Sequence, residues 1–197
     1  MISNDTKPPI SLVKLAHSLI KAKIKSDDSV IDATVGNGHD TLFLLELVGA
    51  KGKVFGFDIQ GAAIDSAHTI LQGTSLLECL TLIQASHAKM GENIPPSYHS
   101  KISAVMFNLG YLPGGDKRII TQTDSTLAAL SCASQMLITN GIITVLAYPG
   151  HEGGEIETDQ VKRWCLALDP EHYQVKLFES QPDKTSAPKL FAITKTR

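Results

Sequence analysis

The sequence predicts an α/β fold built on a doubly wound, mostly parallel sheet, and three observations lead to this prediction. Short apolar runs alternate with amphipathic stretches along nearly the whole chain. Several runs, such as 104–107 (AVMF) and 142–147 (IITVLA), are apolar at consecutive positions, as expected where helices cover both faces of a parallel sheet. The last two runs are joined by only QPDKTSAP, which is too short for a helical crossover, so we expect them to form an antiparallel pair at one end.

The elements follow in order from these patterns. Residues 10–24 have the i, i+3, i+4, i+7 spacing of an amphipathic helix, and 29–33 (SVIDA) is a short apolar run bounded by turn formers. After the turn VGNG, helical spacing returns in 39–49. The same alternation then predicts strands at 53–58, 79–85, 101–109, 141–149, 173–180 and 189–195, and helices at 61–73, 123–138 and 156–168. No repeat or linker interrupts the chain, so we expect one domain, 1–197, with a helical segment, 1–26, packed on it.

Composition excludes several classes of protein. Hydrophobic residues make up 43% of the 197 residues and charged residues 19%, which is not the composition of a disordered chain. Cys79, Cys132 and Cys165 lie far apart in apolar segments, which argues against a disulfide framework and against a CxxC metal or redox site. The sequence shows neither a signal peptide nor an apolar run that approaches a membrane span. We therefore expect a cytoplasmic protein without a metal or a membrane partner.

The formal net charge of −2 argues against a protein that holds nucleic acid by bulk electrostatic attraction. Positive charge is nevertheless concentrated near the start of the chain, where residues 1–25 contain five lysines and a single acidic residue. These lysines, and the neighbouring pair Lys117 and Arg118, form either a solvated surface or a phosphate-contacting entrance to a site, and charge alone leaves both readings open.

The strongest local signal is VIDATVGNGHDT, in which a strand ends at Asp32 and a turn containing Gly36 and Gly38 leads into a helix. Backbone N–H groups at the start of that helix face whatever lies above the strand ends. A dinucleotide site requires a third glycine in the pattern GxGxxG, and Thr41 stands there instead. S-adenosylmethionine requires an acid for its ammonium group, and Asp32 supplies one. The alternative is a turn that only connects strand to helix.

Two further strand ends carry polar residues. Asp58 follows Gly38 by 20 residues, where a carboxylate commonly accepts hydrogen bonds from the ribose hydroxyls of a cofactor. It could equally cap the helix that begins at Gly61. Ser86 and His87 follow the next strand, where they are placed either to contact an adenine ring or to serve as surface or capping residues.

The fourth and fifth predicted strands end in FNLGYLPGGDKR and AYPGHEGGE. These loops bring polar and aromatic side chains, among them Asn108, Tyr111, Tyr148 and His151, to the strand edge where the cofactor turn lies. We interpret the two loops as a substrate lip, although their glycine pairs alone are also typical of plain loops.

In this order and across nearly the whole chain, DATVGNGHDT, FGFDIQ, FNLGYLPGGDK and AYPGHEGG resemble the small bacterial class I methyltransferases first described as rRNA methylases. Members of that family are understood as MnmM-type tRNA wobble-uridine enzymes. The resemblance implies a Rossmann-like, seven-stranded sheet with a terminal antiparallel pair. It also implies that S-adenosylmethionine methylates the aminomethyl group of 5-aminomethyl-(2-thio)uridine in the tRNA anticodon loop. A homodimer is compatible with the sequence.

The resemblance matches Asp32, Gly36 and Gly38 to the cofactor turn, Asp58 to the ribose acid and residues 108–115 to the active-site loop. Together with the neighbouring strand-end residues, these give three groups of expected site residues. The cofactor residues are Asp32, Thr34, Gly36, Asn37, Gly38, Asp40, Thr41, Asp58, Gln60, Ser86, His87 and Asn108. The substrate residues are Gly110, Leu112, Pro113, Gly114, Lys117, Arg118 and Tyr148. The catalytic residues are Asn108, Tyr111 and His151.

A mechanism follows by analogy with amine-directed methyltransferases. Residues 108–111 (NLGY) match the first and last positions of their (D/N)PPY loop but lack both prolines. By this analogy the Asn108 amide oxygen and the Leu109 carbonyl accept the N–H groups of the amine, and His151 is a spare proton acceptor. Tyr111 or Tyr148 offers a stacking face for the base, although either tyrosine could instead be a core residue. The alternatives are an rRNA or small-molecule methyltransferase, an NAD-dependent oxidoreductase and a silent nucleotide-binding module.

Overall fold

The computed structural model describes residues 11–112, 114 and 119–197. Within these residues seven strands form one sheet in the order β3-β2-β1-β4-β5-β7-β6. The strands are β1 (Ser29–Asp32), β2 (Lys53–Asp58), β3 (Leu80–Gln84), β4 (Ile102–Asn108), β5 (Leu137–Ala147), β6 (Tyr173–Glu179) and β7 (Lys189–Lys195). The first five strands run parallel, and β7 pairs antiparallel with both β5 and β6. The predicted mostly parallel sheet with a C-terminal antiparallel pair is confirmed.

The helices alternate with the strands as the spacing predicts. They are α1 (Leu12–Lys21), α2 (His39–Val48), α3 (Gly61–Leu71), the single-turn α4 (Met90–Asn93), α5 (Thr123–Met136) and α6 (Gly154–Ala167). The Ser11 side chain caps α1 by accepting from the Lys14 amide at 3.4 Å, and the predicted start at Ile10 lies outside the described residues. The turn α4 is too short to show a helical period, which is why the sequence does not predict it.

The fifth strand begins earlier than predicted. We expect it at 141 because Thr139 and Asn140 interrupt the apolar run, but β5 starts at Leu137, directly after α5. Leu137 pairs with Ile102, and the register then shifts before Ile142 pairs with Ala104. The polar residues therefore occupy the irregular part of the strand, which tolerates them.

The sheet buries both faces, and β4 shows how. Val105 and Phe107 pack in one hydrophobic cluster with α5 and α6, whereas Ala104 and Met106 pack in a second cluster with α2 and α3. Successive side chains of a strand point to opposite faces. The consecutive apolar residues of the sequence thus reflect a sheet that is covered on both sides.

Helix α1 crosses the sheet near β5 and β7. Leu12 and Ala16 pack against Leu146 and Leu190, and Ile20 joins the second cluster. Lys14 and Lys21 are exposed on the same helix. Among the described residues no helix is long and apolar enough to cross a membrane.

The strand order reverses beside β1, which lies between β2 and β4. Ligands of open α/β sheets bind at such a switch point, beyond the carboxyl ends of the strands. The turn between β1 and α2 lies there, and its Gly38 has φ of 86°. A Cβ atom at Gly38 would lie 2.9 Å from the Cα and Cβ atoms of Ala67 in α3, so a side chain at this position meets both backbone strain and a neighbouring helix.

Replacing Gly38 with alanine should lower the free energy of unfolding by about 2–4 kcal/mol, because the strain of the left-handed conformation adds to the clash with Ala67. Gly153 is a matched control, since it also precedes a helix in the left-handed conformation, with φ of 76°, but the nearest atom to a Cβ built there is Cδ1 of Ile120 at 3.8 Å. Gly153→Ala should therefore cost about 1 kcal/mol, for backbone strain alone. Chemical denaturation of both variants measures the difference, and equal losses would contradict the role of the α2–α3 contact.

Candidate active site

A cleft of about 1020 Å³ opens beyond the carboxyl ends of β1, β2, β4 and β5. Most of the residues that the sequence assigns to the site line it. These are Thr34, Gly36, Asn37, Asp40, Asp58, Gln60, Ser86, His87, Asn108, Gly110, Tyr111, Leu112, Tyr148 and His151. The fold thus brings together residues from both ends of the sequence at one edge of the sheet.

Four assigned residues do not line the cleft, namely Asp32, Gly38, Thr41 and Gly114. Asp32 and Thr41 are 0% exposed, so they lie behind the cleft wall. Direct contact of Asp32 with a ligand stays a prediction, and the structure gives its side chain a supporting position. Pro113, Lys117 and Arg118 lie outside the described residues.

Asp32 holds the glycine turn from below. Its carboxylate accepts a hydrogen bond from the Thr41 hydroxyl at 2.6 Å and another from the Thr34 amide at 3.1 Å. Burial, followed by the negative charge of Asp40, raises the pKa of Asp32 to about 7 despite these two bonds. The carboxyl group therefore exchanges its proton near neutral pH.

Asp58 ties the glycine turn to the end of β2. One carboxylate oxygen accepts from the Gly36 amide and the other from the Gln60 amide, each at 2.9 Å. The sequence leaves a ribose contact and a helix cap as alternatives for Asp58. The structure shows the bond to Gln60 at the start of α3, and Asp58 lines the cleft as well.

Asp40 joins three elements of the fold. It stands in the first turn of α2, where one of its oxygens lies 2.6 Å from Nε2 of His17 on α1 and the other accepts from the amide nitrogen of Asn108 at the end of β4. The His17 ring stacks on Phe43, with centroids 3.9 Å apart and planes 7° from parallel. The sequence does not identify His17, because only the tertiary fold joins residues that are 23 positions apart.

A polar chain fixes the loop after β4. The Gly110 amide donates to the Thr121 hydroxyl at 2.9 Å, and that hydroxyl donates to Glu157 at 2.7 Å. The Thr126 hydroxyl donates to the other oxygen of Glu157 at 2.7 Å. Glu157 is buried, so both of its oxygens are satisfied by neutral hydroxyl groups. The sequence does not predict this network, because Glu157 has the position of an ordinary acidic residue in a helix.

Two histidines present ring nitrogens at the cleft. His87 is buried, its Nδ1 lies 3.1 Å from the Ala33 carbonyl, and burial lowers its pKa. Nδ1 of His151 lies 2.9 Å from the Glu152 carbonyl. In both residues Nε2 is buried without a hydrogen-bond partner among the described residues. Because Nδ1 carries the proton that faces a carbonyl, each Nε2 is an acceptor for a ligand.

The two candidate stacking tyrosines lie at the cleft surface. Tyr111 is 41% exposed and Tyr148 is 36% exposed, and both line the cleft. The Tyr111 ring also meets the His151 ring edge to face, with centroids 6.1 Å apart. Neither tyrosine is therefore a core residue, which was the alternative that the sequence left open.

The charges of the cleft favour a cationic ligand. Asp40 and Asp58 line it, Asp32 lies just behind it, and no lysine or arginine is among the described residues of its lining. The negative charges of Asp40 and Asp58 both raise the pKa of Asp32. A positively charged molecule in the cleft would relieve this repulsion.

Comparison with known proteins identifies the family. Residues 54–194 match the profile of the family described as "Putative rRNA methylase". A chloroplastic tRNA (mnm(5)s(2)U34)-methyltransferase of Arabidopsis thaliana is 43% identical over 163 residues, which are 79% of this chain and 59% of that relative. The chain thus spans about three fifths of the length of this relative.

Solved structures agree with the fold. An rRNA methylase of Clostridium thermocellum is 40% identical, with a TM-score of 0.87 over 93% of this chain and 96% of that chain. A methyltransferase of Streptococcus mutans in complex with SAH is 32% identical, with a TM-score of 0.81 over 99% of both chains. The resemblance seen in the sequence motifs is confirmed, and the chain belongs to the rRNA methylase family.

Proposed function

We propose that this protein is an S-adenosylmethionine-dependent N-methyltransferase that acts on the aminomethyl group of 5-aminomethyl-(2-thio)uridine at the wobble position of tRNA. The observation that carries the proposal is the hydrogen bond between Asn108 and Asp40 in the cleft wall. Because the amide nitrogen of Asn108 donates to the carboxylate, its Oδ1 remains an acceptor, and it accepts no hydrogen bond from a residue that the structure describes. The amide oxygen and the carboxylate together suit the N–H groups of an amine.

The names of two relatives support the proposal. The Arabidopsis relative is named for methyl transfer at U34 of tRNA, and the Streptococcus structure contains SAH. The proposal extends to one domain, 1–197, that acts in the cytoplasm with the tRNA anticodon loop as its partner and with a homodimer as a compatible assembly.

The residues of the cleft fit S-adenosylmethionine. When bound, this cofactor supplies a methyl group attached to a positively charged sulfur. Asp40 and Asp58 provide the negative charge that such a ligand requires, and Asp58 retains lone pairs for ribose hydroxyls beside the two backbone amides that it accepts. The unpartnered Nε2 of His87 is placed to accept a hydrogen bond from the exocyclic amino group of adenine.

The chain's own residues then orient the substrate. Methyl transfer requires the amine lone pair to be in line with the methyl carbon and sulfur, so catalysis depends on positioning. Asn108 is held at two points. Its backbone nitrogen donates to the Thr34 hydroxyl at 2.7 Å, and its side-chain amide donates to Asp40. A wobble uridine lies in a single-stranded loop and can be splayed out onto Tyr111 or Tyr148.

The direct test is to incubate the protein with S-adenosylmethionine and an anticodon stem-loop that carries 5-aminomethyluridine at the wobble position, and to analyse the nucleosides by mass. We expect the methylaminomethyl product, and no product from a stem-loop with unmodified uridine. Asn108→Ala should lower the single-turnover rate by about tenfold or more, since it removes an acceptor that orients the amine.

Two controls accompany Asn108→Ala. The loss in Asn108→Ala should persist at saturating S-adenosylmethionine, which separates orientation of the amine from cofactor affinity, and Asn93→Ala, at an exposed position of α4, should retain the wild-type rate. A wild-type rate in Asn108→Ala would contradict its role, and methylation of ribosomal RNA or a small amine in place of the stem-loop would contradict the substrate.

Cofactor affinity should depend on pH through Asp32. Because the pKa of this carboxyl is raised to about 7, its ionised form, which attracts a cation, is gained as the pH rises from 6 to 8. The dissociation constant of S-adenosylmethionine should therefore fall about three- to tenfold over this interval. Asp32→Asn should abolish the trend, whereas Asp65→Asn, an exposed aspartate of α3, should retain it. Isothermal calorimetry measures this, and an unchanged trend in Asp32→Asn would refute it.

Substitutions of Tyr111 and Tyr148 should show which of the two rings stacks on the base. At the position that holds the base, phenylalanine should retain most activity, and alanine should raise the Michaelis constant for the stem-loop by about ten- to a hundredfold, the range for losing one stacked base. Steady-state kinetics of Tyr111 and Tyr148 variants measure this effect. Equal losses with phenylalanine and alanine would assign the contribution to the hydroxyl group.

A further inference from the structure

A chain of three polar side chains runs from helix α1 into the cleft. His17 lies 2.6 Å from Asp40, and Asp40 accepts from the amide nitrogen of Asn108. The His17 side chain is 28% exposed and that of Asp40 is 14% exposed, so the chain leads from near the solvent to the cleft wall. Among the residues that the structure describes, no basic side chain other than His17 pairs with Asp40.

The proposed reaction requires a route for one proton, and the inference here rests on that proposed function. An aliphatic amine is mostly protonated near neutral pH, as the ordinary lysine pKa of about 10 shows. An ammonium group has no lone pair, so it must lose a proton before nitrogen can attack. One proton therefore leaves the site in each turnover.

We infer that Asp40 accepts this proton from the substrate ammonium group, that Nε2 of His17 in its Nδ1–H tautomer takes the proton over from Asp40, and that Nδ1 then releases its own proton to solvent. The neutral amine nitrogen then forms a bond to the methyl carbon while the carbon–sulfur bond breaks, and the electron pair of that bond stays on sulfur. The product is a secondary ammonium group and a thioether. Asp40 is thus a catalytic residue, and His17 is a positioning and proton-accepting residue that acts through Asp40.

The other acidic groups of the site are less suited to this step. Both oxygens of Asp58 accept backbone amides, so neither has a basic side chain of a described residue beside it to take a proton onward, and Asp32 is completely buried behind Thr41. His151 lines the cleft, but its Nδ1 lies against the Glu152 carbonyl and not against a carboxylate. Nε2 of His17, in contrast, lies 2.6 Å from a carboxylate oxygen of Asp40, which itself lines the cleft.

Several titratable and charged groups surround the pair and would contribute to any pH profile. Asp32 of β1 and Tyr148 after β5 both interact electrostatically with Asp40, and Asp58 interacts with Asp32. Those on the two helices that carry the pair are Lys14 and Lys21 of α1 and His39 and Glu46 of α2. All of them are retained when only His17 is changed, so the comparison between variants isolates His17.

The decisive variant is His17→Gln, because glutamine can still donate a hydrogen bond to Asp40 but cannot carry a proton. We measure single-turnover rates on the aminomethyl stem-loop, with saturating S-adenosylmethionine, from pH 6 to pH 10. We expect a loss of about tenfold or more at pH 7 that shrinks to within about twofold at pH 10, where the amine gives its proton to solvent. Imidazole in the buffer should restore the rate of His17→Ala at pH 7.

The matched control is His172→Gln. His172 pairs with Asp169 at 2.8 Å, but both residues are exposed and neither lines the cleft. This variant should follow the wild-type profile at every pH. Calorimetry should show that His17→Gln binds S-adenosylmethionine as tightly as the wild type, which separates proton transfer from cofactor binding.

A second readout uses the unaltered protein and no catalysis. In a complex with SAH and the aminomethyl stem-loop, nitrogen NMR should show a change in the chemical shifts of the His17 ring nitrogens. With SAH and a stem-loop that carries unmodified uridine these shifts should stay at their RNA-free values, because that RNA has no ammonium group to contact Asp40. This measurement remains decisive even if the substituted chains do not fold.

Four results would overturn the inference. The first is a wild-type rate in His17→Gln at pH 7, and the second is a loss of rate that is the same at every pH. The third is weaker binding of S-adenosylmethionine in that variant. The fourth is a pH-dependent loss of rate in His151→Gln but not in His17→Gln, which would make His151 the proton acceptor. Wild-type protein that is inactive on the aminomethyl stem-loop at every pH would overturn the proposed function, and the proton route with it. An active wild type with an indifferent His17 overturns only the route.

Discussion

The structure depends on the burial of carboxyl groups where the strand order reverses. Asp32 is held beneath the glycine turn by Thr34 and Thr41, and Asp58 ties the same turn to the neighbouring strand. Removing a carboxylate from water is costly unless hydrogen bonds or an opposite charge compensate. The hydrogen bonds shape the turn, and either a proton on Asp32 or a cation in the cleft would balance the repulsion that remains. Architecture and ligand preference therefore have one physical origin.

Much of this architecture can be predicted from the sequence, because it depends on local patterns. The apolar run at β4 reveals a sheet covered on both faces, and the eight-residue connector before β7 (QPDKTSAP) reveals an antiparallel strand. Asp58 and Asn108 are also visible, since each ends a predicted strand at the edge where parallel sheets carry their sites. These predictions use only the periodicity of apolar residues and the position of a residue along the chain, and neither requires knowledge of long-range contacts.

The parts that escape the sequence are those that only tertiary contacts create. In the sequence, His17 is an ordinary polar residue of an amphipathic helix, and Glu157 is one of several acidic residues near the start of a helix. Their importance comes from Asp40 and Thr121, which are distant in sequence and near in space. The exposure of Asp32 is a similar case, because a strand-end acid can equally face the ligand or lie under the turn, and packing decides between the two.

The position of β7 has a consequence for how the chain folds during synthesis. β7 lies between β5 and β6, although it is the last of the three to be made. While the ribosome is still extending the chain, β5 has an unpaired edge and β6 has no neighbour to pair with. The nascent protein therefore presents an open, aggregation-prone sheet until residues 189–195 have left the ribosome. Insertion of this single strand then pairs it with β5 along one edge and with β6 along the other.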